Sequence, residues 1–127
     1  WLDLNGHRQR IDQSKGVLTI ADADTDFHPK FFEGLTYYFA RLSDDDRDVT
    51  IFQAPIMHYK NYHTQPGIVR LASIFVTHRD IANLTDSTST CLPYSTYSLS
   101  NNLAKSVGGW DPDWISEDWH MFIKCFL

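Results

Sequence analysis

Hydrophobic positions fall into short bursts along this chain, and the period changes from burst to burst. Val17 to Ala21 is a continuous, mostly apolar run bounded by polar residues, the pattern of a buried strand. Pro29 then suits the first turn of a helix that carries Phe31, Phe32, Leu35, Tyr38, Phe39 and Leu42 as an apolar stripe. SDDDRD, Ser43 to Asp48, predicts a solvated acidic loop, and Val49 to Ala54 predicts a second strand stopped by Pro55. The stretch His58 to Gln65 has no period. Pro66 opens a long helix through about Leu84, rich in apolar residues. The Ser/Thr/Tyr-rich segment from Ser87 to Ser100 predicts loop and a short strand. Asn101 to Val107 predicts a short helix ended by Gly108 and Gly109. After the WDPDW turn, Ser116 is placed to cap a last helix that begins Glu117, Asp118 and points Met121, Phe122 and Ile123 at the core. Strands alternating with helices predict an α/β layer with some parallel pairing.

The chemistry begins where the first strand ends. Asp22, Asp24 and Asp26 alternate there, a spacing shared by two unrelated metal sites. Read as a calcium loop, the twelfth position from Asp22 is Glu33, as a bidentate ligand requires. The sixth, however, is Phe27 where glycine should make the sharp turn, and the incoming segment is a strand former. Read as a strand end, the same residues sit where ligands bind in open α/β sheets, and a divalent ion there can bridge diphosphate oxygens. A plain polar loop that caps the following helix also fits the triplet.

A second acidic pair, Glu117 and Asp118, opens the last helix. Acids in a first turn offset the helix dipole and need no further role. The alternative is that one of them is a general base for an attacking hydroxyl, with His120 as a competitor of more suitable ordinary pKa.

Composition narrows these choices. The 127 residues suffice for a single domain, and 43% hydrophobic with 21% charged residues is the balance of an ordinary globular protein. A net charge of −5 disfavours nucleic acid and means that an anionic substrate needs a bridging cation. Cys91 and Cys125 lack ligand spacing and read as buried free thiols. The six histidines form no metal motif, Ser95, Ser98 and Ser100 lie in no nucleophile elbow, and Arg70 and Arg79 read as surface charges on a helix. Apolar runs such as Ile74 to Val76 are too short to span a bilayer. The chain opens on Trp1 rather than Met and reads as a piece of a longer protein.

Taken in order, ADAD (Ala21 to Asp24), VGGWD (Val107 to Asp111) and ISEDWHM (Ile115 to Met121) resemble the catalytic half of a family-2 glycosyltransferase. The similarity is to the membrane-associated branch of cellulose- and chitin-synthase-like enzymes. It covers about Val17 to the end, so that residues 1–127 read as one partial catalytic domain. The resemblance implies a GT-A fold (the nucleotide-diphospho-sugar transferase type), a mixed sheet with flanking helices, here without its first nucleotide-binding strands. It assigns Asp22 and Asp24 to the metal, Mg²⁺ or Mn²⁺, with Asp24 the more direct contact. It makes Asp118 the catalytic base, Glu117 its supporting neighbour, and Gly108, Gly109, Trp110 and Trp119 the donor- and acceptor-side residues. The implied partners are a nucleotide-diphospho-sugar and a carbohydrate or lipid hydroxyl. A multi-pass parent with a cytoplasmic catalytic side is implied too. Two rivals stay open. One is a calcium-binding or structural module built on Asp22, Asp24, Asp26 and Glu33; the other is a nucleotidyltransferase, for which basic residues are scarce.

Overall fold

The computed structural model describes residues 15–86 and 92–127, which form a small mixed α/β domain. Its sheet has three strands in the order β1-β3-β2, namely β1 (Val17–Ala21), β2 (Ile51–Gln53) and β3 (Thr96–Ser100). The helices are α1 (Phe31–Arg41), α2 (Asp44–Arg47), α3 (Gly67–Thr85), α4 (Asn101–Ser106) and α5 (Glu117–Phe126). Cys91 lies outside the described residues.

The expected parallel pairing is not found: both pairings among the described residues are antiparallel. The reason is strand order. β1 and β2 run in the same direction, as the strand-helix-strand pattern suggests, but β3 inserts between them and opposes both. As the middle strand, β3 is buried at every position, side chains on both faces included. Thr19 and Ser98 face each other across the β1–β3 ladder, and their hydroxyls bond at 2.9 Å. The core gathers on β3: Tyr97 and Leu99 pack with Leu103 and Ala104 of α4 and Met121 of α5, flanked by Ile20, Ile51, Val107, Trp110 and Cys125.

Local chemistry moved several boundaries. SDDDRD is not a free loop but the short helix α2. Ser43 caps it by accepting the Asp46 N–H at 3.1 Å, and its acids sit at the favourable end of the dipole. Arg47 then donates to the Phe39 and Ala40 carbonyls, at 2.7 and 2.9 Å, closing the end of α1. Pro29 lies outside α1, which starts at Phe31, so Asp26 is not at its first turn. Only Leu35 and Phe39 of the expected α1 stripe are buried, while Phe32 and Tyr38 face solvent. Ser116 occupies the N-cap of α5 without a side-chain bond, and Ile123 is exposed where a core role was expected. Cys125 is half-buried, and burial raises its thiol pKa.

α3 departs furthest from its sequence pattern. Its apolar residues are spread around the helix rather than gathered in a stripe, and Ile68, Val69, Leu71, Ile74 and Phe75 are all exposed. Its single buried residue is Asp80, which takes a salt bridge from Arg79 at 3.1 Å and a short hydrogen bond from the Tyr94 hydroxyl. No described helix is long and apolar enough to cross a membrane.

Candidate active site

Strand register brings the two acidic motifs to one end of the sheet. Ala21 pairs with Thr96 at the end of the ladder, and Asp22 and Ser95 are the residues that flank this last pair. Ser95 has φ of 58°, in the left-handed region that a serine seldom adopts. From there its N–H donates to Asp118 Oδ2 at 2.7 Å. The amino end of α5 is thereby fastened to the start of β3, next to the strand that carries Asp22.

Asp118 has an uneven environment. Oδ2 is satisfied by Ser95, whereas Oδ1 is buried and has no partner of good hydrogen-bond geometry among the described residues. The Tyr97 hydroxyl nonetheless stands close enough to the carboxyl to act on it. Burial pushes the carboxyl above its ordinary pKa; the Ser95 N–H opposes the rise, the charges of Glu117 and Asp22 add to it, and the Tyr97 hydroxyl pulls slightly down. Asp22 therefore stands near enough to act on Asp118 through its field, and Asp24 is not among the charges that do. Tyr97 is itself pushed up to about 12, chiefly by burial, and remains a neutral phenol.

The VGGWD segment is positioned from below. α4 ends at Val107, and Gly108 and Gly109 follow at φ of 80° and 74°. Their amides return to Lys105 O at 3.1 Å and Ala104 O at 2.8 Å, a Schellman closure that needs glycine at the left-handed position. Trp110 then turns inward and donates its indole N–H to the Tyr97 hydroxyl at 2.9 Å. Lys124, in the last turn of α5, donates to Gly109 O at 2.7 Å and Asp111 Oδ2 at 2.9 Å. That bond holds the Asp111 carboxyl below its ordinary pKa.

His120, the rival base, is engaged elsewhere. Its Nδ1 lies 3.2 Å from Asp111, and Trp114 stacks on its ring at 4.3 Å. Glu117 and Trp119 are exposed on α5.

The acidic loop is open by contrast, with Asp22, Asp24 and Asp26 all exposed. A turn closes through Thr25 N–H to Asp22 O at 3.0 Å, and the Thr25 hydroxyl meets that of Thr96 at 3.1 Å. Phe27 packs against Phe31 and Phe32 at 4.7 and 5.1 Å, which accounts for an aromatic where a calcium loop wants glycine. A strand enters the loop where a calcium-binding hand needs a helix. Among the described residues no three His, Cys, Asp or Glu side chains form a metal cage. One or two carboxylates suit Mg²⁺ or Mn²⁺ held jointly with substrate phosphates, so the donor set fits a metal that arrives with its ligand.

Sequence reasoning missed Ser95, Tyr97, Lys124 and Lys60. Lys60 donates to Asp24 O at 2.8 Å and pairs with Asp26 Oδ2 at 3.3 Å. None of the four lies in a motif. No family model, curated protein or solved structure matches this chain.

Proposed function

We propose that this domain is the GT-A-type catalytic portion of a metal-dependent, inverting glycosyltransferase. It would move a sugar from a nucleotide-diphospho-sugar to a carbohydrate or lipid hydroxyl. One observation carries the reading: Asp118, with one oxygen tied and one buried and unpaired, shares the end of the sheet with Asp22. A general base needs a free lone pair, a fixed orientation and a pKa drawn toward neutrality, and Asp118 has these features. Oδ1 takes the acceptor proton while the Ser95 amide steadies Oδ2. Trp110, fixed on Tyr97 by its indole N–H, would offer an aromatic surface to the acceptor. Asp22 and Asp24 would hold Mg²⁺ or Mn²⁺, which supplies positive charge to the departing diphosphate. Glu117 keeps the Asp118 pKa up by its charge. Attachment to a membrane through segments outside this chain, with catalysis on the cytoplasmic side, belongs to the same proposal.

The test is donor turnover by the full-length protein with Mn²⁺ or Mg²⁺, repeated with EDTA. Chelation should abolish turnover, and Asp24→Ala should raise the metal concentration required. Asp118→Asn should lower kcat by about 10²–10⁴-fold, the usual worth of general base assistance. Wild-type rates in both variants would end the assignment.

A further inference from the structure

A diphosphate approaching Asp22, Asp24 and Asp26 meets like charge, and a single divalent ion has to offset both sides. Lys60 supplies a second cation at that place. It comes from the segment between β2 and α3, 36 residues beyond Asp24, and its ammonium reaches the acidic loop from outside the strand. The turn that carries it is well braced. Tyr62 N–H bonds Tyr59 O at 3.0 Å, Thr64 N–H bonds Asn61 O at 3.0 Å, and the Gln65 side-chain amide donates to Lys60 O at 3.2 Å. Asn61 holds a left-handed φ of 58°, and the Arg70 guanidinium lies over the Tyr62 ring at 5.7 Å.

We infer that Lys60 is a binding residue for the donor's diphosphate. The inference rests on the glycosyltransferase reading and adds a ligand contact to it. An ammonium has three donors; Asp24 O accepts one, and Asp26 Oδ2 lies within ion-pair distance. The Lys60 side chain is 51% exposed and that of Asp26 79%, so their pair is weak and its partner exchangeable. The donor's diphosphate brings two negative charges against the single charge of Asp26 and displaces it, while the bond to Asp24 O keeps the ammonium in position. Asp26 thus acts as the resting partner of Lys60, which explains an acid at a position that the metal does not require.

The experiment titrates the full-length protein with Mn²⁺ alone, then with inorganic pyrophosphate at saturating Mn²⁺, by calorimetry. Lys60→Met should weaken pyrophosphate binding about 10-fold, the loss of one charge-assisted contact, with Mn²⁺ binding unchanged. Lys60→Arg should restore most of it. Asp26→Asn, which frees the ammonium, should match or tighten wild-type binding. If Lys60 only staples the loop, Asp26→Asn will weaken binding as Lys60→Met does, and the inference falls. Unchanged pyrophosphate affinity in Lys60→Met also overturns it, as does a parallel loss of Mn²⁺ binding. A wild-type protein that takes up no pyrophosphate with Mn²⁺ would remove the glycosyltransferase reading as well.

Discussion

Around Asp118 the chain is tied down from several directions, whereas Asp22, Asp24 and Asp26 stand in solvent on a loop with few anchors. The Asp118 carboxylate is gripped by the Ser95 amide and sits above a core that buries Tyr97, Leu99 and Met121. Its neighbour segment is stitched to α5 through Lys124. The acidic loop has one internal turn, the Thr25–Thr96 contact and Lys60. Under the proposed glycosyltransferase reading, the contrast matches what each carboxylate would do. A base must be oriented before the substrate arrives, and its desolvation is a standing cost to the fold. Metal ligands can stay hydrated until the ion and its phosphates bring the missing charge. On that reading, preorganisation at one end and openness at the other would be complementary answers to the same accumulation of negative charge.

The largest expected effect lies at Asp118. Asp118→Ala leaves the Ser95 N–H without its acceptor, which should cost about 1–3 kcal/mol. Asp118→Asn keeps an oxygen for that N–H and removes the charge. Burial raises the folded carboxyl pKa above its unfolded value, so Asp118 favours folding at acid pH and loses that contribution as pH rises through the folded pKa. Asp118→Asn should therefore match or exceed wild-type stability at neutral pH, with the advantage shrinking as pH falls. Denaturant midpoints across pH decide it. An Asn variant as unstable as the Ala variant would mean that Asp118 is a structural anchor and not a group held charged at a cost.

How far the sequence carried this comparison depends on the kind of signal. β1, the end of α4 and the start of α5 were legible because a short apolar run, a glycine pair and an acidic first turn act through local physics. The position of β3 between β1 and β2 was not, since strand order is decided by which strand can be buried on both faces, and STYSLS looks polar. Its Thr96, Ser98 and Ser100 are buried because hydroxyls can pair across the sheet and at the α4 cap. α3 shows the converse, an apolar composition that guarantees a helix without guaranteeing burial. Asp22 and Asp118 stand out as candidates from motifs, while Ser95 and Lys60 meet Asp118 and Asp24 through contacts 23 and 36 positions away that leave no mark on spacing.

A smaller effect is expected where VGGWD is closed. Nothing lies within 4 Å of a Cβ at Gly109, so the cost of Gly109→Ala comes from its φ of 74° and not from a clash. That conformation should cost about 1–2 kcal/mol for a residue with a Cβ. Because Lys124 and Trp110 hold the same segment, the fold should survive while Trp110 loosens from Tyr97. A red-shifted tryptophan fluorescence with a retained far-ultraviolet circular dichroism spectrum would sharpen the view that this end is preorganised. An unchanged emission would weaken it.

The smallest stability effects belong to the open end, and they are the more diagnostic for being small. Asp22→Asn, Asp24→Asn and Asp26→Asn should each move the unfolding free energy by no more than about 0.5 kcal/mol, as exposed substitutions usually do. Relief of repulsion among the three carboxylates offsets the loss of the weak Lys60 pair in Asp26→Asn. Mn²⁺ with pyrophosphate should raise the wild-type melting temperature and lose that effect in Asp24→Asn, because a ligand stabilises only the state that binds it. If any of the three variants unfolds the domain without ligand, the loop is part of the framework rather than a landing place. The division between a prepared base and a waiting metal site would then dissolve.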